Sequence, residues 1–578
     1  MKINNLIYIV LLGIIVSLTS CEDDDSLFSG NENYITSFRL VQQGDSYAGI
    51  IKGDSLILSI PENLSLEGAI MEILCSENAR ISPDPGEVED WGKLQNFTVT
   101  AYNNTQRVYK YIVRRTLTGS EGDVRLTSVE DLEAFAAQGI NKVNGNLVIG
   151  KEEGTVKEDS LTSLAALASL KEVVGTVTIN PTYAGTSFAG LENLEQVGGL
   201  VMGRVIQNAT IGLRWIREIE LPNLKKVASE LTFRADTVET LSLPALEKVG
   251  RNLSIQIKDV KDIDFSALSV IGENLSMKVN GVLNAPEKLS FPKLSLIGNQ
   301  LALSNVYRVK ELAFPELKSA TAIKLEQMNA VETLNFTQLE QVADYFELWW
   351  THQVKEMNFP SVKSLGGFKI YYIQNLEKVS LESLTEVGLR GFCIDASDKI
   401  QELNLPALTR VKGDFVLTRM AITEVSSLRA LKEVDGKFDF SSMSALTVFD
   451  GFPNLTTVGG NFTLSGLAVS ELKGFDALTS IGGSMSLSNL NEVTSIDAFP
   501  VLKSIGSQCS LIGLKKLQDI SLLAQFKGMH LNNCILNNLD ALTSLDLTGL
   551  EVDALQITGK NALTLKGSKT LNTNLTIN

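Results

Sequence analysis

The chain has 578 residues and a formal net charge of −16, from 51 Lys and Arg against 67 Asp and Glu. That balance excludes a general nucleic-acid binder, which needs a basic face to meet phosphate. A hydrophobic fraction of 44% with 20% charged residues excludes wholesale disorder, and with only His352 and His530 no multi-histidine metal or hydrolytic site can be assembled.

The first element is an address. Lys2 precedes an apolar run from Leu6 to Val16, and Leu18-Thr19-Ser20 leads into Cys21. The run is shorter than the roughly 20 residues that cross a bilayer core, so residues 1–20 read as a removable export signal. Leu18-Thr19-Ser20-Cys21 resembles a bacterial lipobox, which implies cleavage before Cys21 and lipidation of that cysteine. The alternative is an ordinary secretory peptide. Glu22, Asp23, Asp24 and Asp25 then open a Ser/Gly/Asn-rich stretch to Asn33, too densely charged to pack, so 21–33 reads as a solvated tether. It resembles the acidic signal after the lipidated cysteine in Bacteroidota-type surface lipoproteins, which implies a lipid anchor in the outer membrane, facing the cell exterior. A spacer with no sorting role is the alternative.

Over 34–116 short alternating runs such as Ile35-Thr36-Ser37-Phe38-Arg39-Leu40 and Ser55-Leu56-Ile57-Leu58-Ser59-Ile60 predict half-buried strands in a small β-sandwich. Asn103-Asn104 separates two such runs as a hairpin turn would. The segments ITSF, ARISPDPG and FTVTAYNNTQRVYKYIV resemble the immunoglobulin-like modules that follow the tether in such lipoproteins, which implies a spacer without chemistry. Next, 127–139 predicts one amphipathic helix, with Thr127 and Glu130 at capping-box spacing and Val129, Leu132, Phe135 and Ala136 on one face. It is expected to cap a repeat array at its N-terminus.

The repeat dominates the sequence. LPALEKVGRNLSI (243–255), FPKLSLIGNQLAL (291–303), FPNLTTVGGNFTL (452–464) and FDALTSIGGSMSL (475–487) share a template that ends in an apolar-any-apolar strand. The first apolar residue of that strand falls at 147, 177, 200, 231, 253, 275, 301, 323, 346, 368, 392, 415, 438, 462, 485, 509 and 529, a mean period of about 24. Eight of the 13 prolines, from Pro222 to Pro500, hold one template position. A strand recurring at that period predicts a solenoid of about 17 rungs over 140–538, whose apolar columns are buried by stacking. The template resembles the leucine-rich repeats of receptor L domains and of fungal cell-wall proteins, which implies a right-handed β-solenoid. Residues 539–578, with shorter units such as LDL and LQI, are expected to form an irregular C-terminal cap.

The two positions after the second strand anchor face outward or sit in a bend, and most rungs put small or polar residues there. Two successive rungs carry Trp349-Trp350 and Tyr371-Tyr372 instead, so stacking places four large aromatics on one face. Contiguous exposed rings mark interaction sites, whether by stacking on sugars or anchoring a protein. These four form the candidate ligand site, with His352 and Lys369 as polar rim and Asp395, Arg390 and Arg419 on flanking rungs. The alternative is that the rings fold over the solenoid edge or lie beneath a loop.

Besides Cys21 there are Cys75, Cys393, Cys509 and Cys534. Cys509 aligns with Met485 and Met529, and Cys534 with Leu490 and Leu514, so the two are expected in different core columns as buried free thiols. No phosphate loop, nucleophile elbow or metal-ligand spacing occurs, so no catalytic residue, metal or cofactor is assigned. The chain reads as a mainly β, non-enzymatic surface lipoprotein that binds or adheres through its solenoid. The alternative is a glycan-capture protein of a polysaccharide uptake system, with polysaccharide cleavage as a third reading. The expected partners are a membrane, through the lipid, and a protein or glycan at the cell surface.

Overall fold

The computed structural model describes residues 30–578 apart from 94–95, 153–155, 157–159, 280–284, 521, 523–525, 560–563, 567–573 and 578. The export signal, Cys21 and the tether as far as residue 29 lie outside the described residues. The chain is mainly β and divides into two units, Met1–Thr118 and Gly119–Asn578.

In the first unit, Ile35–Gln42 pairs antiparallel with Asp45–Ala48 and Ile70–Cys75. A second sheet orders Ile50–Lys52, Ser55–Pro61, Gln106–Thr116, Asn96–Thr100 and Arg80–Ser82 side by side. Period-two alternation does what it must: Leu56, Leu58 and Ile60 are fully buried while the residues between them are not. They close on an aromatic cluster in which Trp91, Phe97 and Tyr111 lie 5.8–6.2 Å apart between ring centroids. The strands flanking Asn103-Asn104 pair antiparallel, and Asn104 takes φ +67 in the turn.

The second unit is a β-solenoid of about 18 turns from residue 124 on. Its strands are parallel and in register, rung on rung. Sixteen of the seventeen expected anchors fall in one column: Leu147 pairs with Val177, and the line runs through Leu200, Leu231, Leu253 and Phe346 to Met485 and Cys509. The seventeenth does not. The partner of Cys509 is Cys534, inside the strand His530–Asn537, and Met529 lies just before that strand. Met529 is itself apolar and buried, so hydropathy alone could not choose between the two. The ladder also extends beyond the expected ends. Val124–Leu126 pairs with Leu147–Ile149 ahead of the first expected rung, and Glu551–Thr558 pairs in register with His530–Asn537 where an irregular cap was expected.

The capping helix is Val129–Ala136, and its cap is one residue later than expected. The ladder holds the chain extended through Leu126, so Ser128 becomes the N-cap: its hydroxyl accepts the Asp131 N–H at 3.2 Å and Asp131 accepts the N–H groups of Thr127 and Ser128. Leu132 and Phe135 are buried, whereas Val129 is 45% exposed and lies off the apolar face.

Two columns explain the template. The glycine after Val or Ile is required because neighbouring backbones nearly touch there: a Cβ on Gly272 would stand 1.9 Å from the Gly250 carbonyl oxygen, and one on Gly298 1.9 Å from that of Gly272. Aromatic volume is handed between two core columns. Phe265, Phe291, Phe314 and Phe336 stack at 5.1–5.8 Å beside the rung corner; from Phe346 on, the strand anchors take over through Phe368, Phe392, Phe415 and Phe438. Where the anchors are Phe392 and Phe415, the corner is Leu381 and Leu405. The two columns also overlap, since Phe359 packs on Phe346 at 5.2 Å and Phe475 on Phe462 at 5.0 Å.

Candidate functional site

From the rung of Leu301 on, each rung makes the same bend past its second anchor, through a residue with positive φ. Between 305 and 559 these are Asn305, Gln327, Trp350, Tyr372, Ala396, Arg419, Ser442, Gly466, Asn489, Gly513, Asn538 and Gly559, with φ between +47 and +74. The N–H of ten of these twelve reaches across to the next rung, as Gln327 does to the Trp349 carbonyl at 3.1 Å and Tyr372 to the Asp395 carbonyl at 3.2 Å. The bend is thus part of the ladder and cannot relax on its own. Asn and Gly occupy the left-handed region readily, whereas other residues lose about 1–2 kcal/mol there through the clash of Cβ with the backbone. Trp350 and Tyr372, on successive rungs, are the two bulkiest side chains held in this conformation.

Just before the bend the outward column carries Glu326, Trp349, Tyr371, Asp395 and Thr418 in register. Trp349 packs on Tyr371 with ring centroids 4.9 Å apart and planes at 59°, and meets Trp350 edge-on at 6.2 Å and 85°. The lower pair is half-buried, and the upper pair stays open: Trp350 is 39% and Tyr372 47% exposed. The expected alternatives therefore divide by position, with Trp349 and Tyr371 as a packed base and Trp350 and Tyr372 as a crest. Burial pushes the Tyr371 hydroxyl well above its ordinary value and raises the neighbouring Cys393 thiol. The Trp349 Nε1 is buried without a hydrogen-bond partner, a polar atom that the rings cover.

Lys369 lies on the strand of Tyr371, 3.9 Å from Glu347 on the rung before, so its charge is already faced by a carboxylate. His352 lies two residues past Trp350. It follows the fully buried Thr351, and its Nδ1 is buried without a hydrogen-bond partner.

The flanking charges are organised as two forks. Arg419 binds both carboxylate oxygens of Asp395, at 2.8 and 2.9 Å, and its guanidinium carbon stands 6.0 Å from the Tyr372 ring; Thr418 also donates to Asp395. On the other flank Arg390 binds Asp344 at 2.9 and 3.3 Å and stands 5.9 Å from the Tyr345 ring. The Tyr345 hydroxyl accepts from Gln300 at 2.8 Å. Beside Arg390, Leu389 is 83% exposed. Tyr345, Asp344 and Leu389 were not singled out from the sequence. Tyr345 occupies an outward alternate position of its strand, the one signal that would have found it.

Another concavity is a cavity of about 160 Å³ beside the hairpin Arg204–Ile211, lined in part by Thr210, Gln256, Lys278 and the Lys258–Asp236 pair, which is closed at 2.8 Å. Among the described residues no group of three or more His, Cys, Asp or Glu is placed to hold a metal ion, and no helix is long and apolar enough to cross a membrane. No known protein-family model matches the chain, and no curated protein is recognisably similar to it.

Proposed function

We propose that this protein is a lipid-anchored surface protein of the outer membrane whose solenoid recognises a protein partner without catalysis. In this reading Cys21 carries the lipid and the two-sheet N-terminal unit is an immunoglobulin-like spacer behind the acidic tether. The observation that carries the binding role is the crest itself. Two successive rungs hold Trp350 and Tyr372 at φ +47 and +56, where the ladder elsewhere uses small or polar residues such as Asn305, Gln327, Ala396, Ser442 and Gly466. Large rings kept exposed on a backbone that favours glycine and asparagine are a mark of use.

A protein partner fits this surface better than a glycan. Trp, Tyr and Arg, the residues in which binding energy concentrates, meet within a few rungs together with the exposed Leu389. Rings inclined at 59° and 85° make a ridge rather than the flat, coplanar platform that suits a sugar chain. The charges on the flanks are already paired, so the surface is a rigid apolar ridge between two fixed ion pairs.

The test sets the purified chain against a panel of extracellular and cell-surface proteins and, in parallel, a glycan array. The expected result is at least one protein ligand whose affinity drops about 30-fold or more, some 2 kcal/mol, in the Trp350→Asn/Tyr372→Asn variant. Binding to glycans alone, lost in the same variant, transfers the site to glycan capture. Retention of nothing by either array overturns the reading.

A further inference from the structure

Cys509 and Cys534 are direct neighbours in the ladder: they pair in register on adjacent parallel strands, both point into the core and both are fully buried. In-register neighbours on adjacent strands stand about 4.8 Å apart at Cα, inside the window of about 4.4–6.8 Å that a disulfide spans. They are close enough for the thiolate of one to disfavour that of the other, which adds to the effect of burial in holding the Cys509 thiol above its ordinary value. Elsewhere this column is filled by Leu, Val, Ile, Phe and Met, as at Val177, Leu253, Ile323, Phe462 and Met485, and Leu555 follows Cys534. Two consecutive cysteines in it are therefore a change of chemistry as well as of volume.

We propose that Cys509 and Cys534 form a cross-rung disulfide when the chain folds in the presence of a low-molecular-weight disulfide oxidant. The thiolate of one cysteine attacks the oxidant and expels one thiolate; the other cysteine then attacks the mixed disulfide and expels the second. One S–S bond forms, one breaks, the oxidant leaves as two thiols and the two protein protons go with them. Both sulfurs are sealed from solvent once the rungs close, so the exchange belongs to folding, before Leu511 and Leu536 pack over the same strands. Parallel side chains at the rung spacing keep their Cβ atoms about 1 Å farther apart than the usual 3.8 Å, so the bond draws the two rungs together and is more reducible than an unstrained one. Its role is to staple the rungs of Gln508–Ile512 and His530–Asn537 to each other. Cys75 and Cys393 lie on other elements, half-buried, and serve as internal controls.

The experiment unfolds the full-length chain in denaturant with reductant and refolds it with or without oxidised glutathione. Exposed thiols are then alkylated in denaturant, and the peptides are read by mass spectrometry. The expected result with oxidant is one linked peptide pair containing Cys509 and Cys534, two hydrogens lighter than its parts, with Cys75 and Cys393 alkylated. Alkylation of both Cys509 and Cys534 after oxidative refolding, or linkage of either to a different cysteine, overturns the proposal. As a second readout, dithiothreitol should lower the denaturant midpoint of the oxidised wild type and leave Cys509→Ala/Cys534→Ala unmoved. An equal response of the two proteins counts against the staple.

Discussion

Rungs 346–372 and rungs 438–488 share a template and differ in what they show to solvent. Both bury a phenylalanine anchor, Phe346 and Phe368 in one case and Phe438 and Phe462 in the other, and both make the left-handed bend. Outside, the first pair presents Trp349, Trp350, Tyr371 and Tyr372. The second presents Ser441, Ser442, Ser465 and Gly466, and continues into Ser488, whose hydroxyl donates to that of Ser465 at 2.8 Å. The serine rungs therefore show what the ladder needs at these positions, which is little more than a small residue that tolerates positive φ. The aromatic rungs carry something in addition, two exposed rings on the same left-handed backbone.

Four substitutions sharpen the division between what the ladder requires and what it tolerates. The largest effect belongs to the shared core. Phe438 touches Phe415, Phe440, Phe452, Phe462 and Phe475 at 4.8–5.9 Å, so Phe438→Ala should destabilise its rungs by about 3–5 kcal/mol. The measurement is hydrogen exchange across Phe415–Thr418 and Phe462–Ser465, whose amides should lose protection together. Next is Gly272→Ala, which drives a Cβ against the backbone oxygen of Gly250 and should destabilise by about 1–3 kcal/mol, read from the denaturant midpoint. Ala396→Gly should go the other way. Ala396 sits in the bend column at φ +54 without an aromatic ring to lose, and glycine there should stabilise by about 0.5–1 kcal/mol by the same measurement. A loss of stability would mean that the bend carries no strain, and would remove the argument built on Trp350 and Tyr372.

The smallest effect is at the helix cap. Hydrogen bonds from Thr127 and Ser128 hold the Asp131 carboxyl below the usual carboxylate range, so its folded pKa lies under its unfolded one. Its contribution is complete above the unfolded value of about 3.9 and lost as pH falls through the folded value. Asp131→Ala should therefore weaken the helix by about 1 kcal/mol at neutral pH and by less below about pH 3, seen as faster amide exchange in Val129–Ala136.

The sequence carried the fold further than the site. Sixteen anchors were legible because burial in a stacked column imposes the same apolar pair at a constant spacing, and that pattern survives any choice of surface. It failed at Met529, where the segment before the strand offers a second apolar candidate and the true anchors are Cys534 and Leu536. The same ambiguity put Cys509 and Cys534 in separate columns when they are neighbours. The helix cap slipped from Thr127 to Ser128 because both are good caps, and the ladder strand before them decides. At the site, Trp349, Trp350, Tyr371 and Tyr372 were legible as departures from a small or polar norm, and Lys369 as their neighbour. The bend column was not, since φ leaves no mark in a hydropathy pattern, although Asn305, Gly466, Asn489 and Gly513 hint at it. Nor were the two Asp–Arg forks resolved, because each joins rungs through side-chain length and direction, which spacing does not specify.

The most direct measurement is the affinity for the retained partner of three proteins side by side: wild type, Trp350→Asn/Tyr372→Asn, and Ser442→Asn, which changes the same bend position on a serine rung. The prediction is a loss of about 30-fold or more in the first variant and none in the second, with neither variant less stable than wild type. Unchanged affinity in the aromatic variant, or an equal loss in both, would contradict the claim that the crest on rungs 346–372 is where this protein binds.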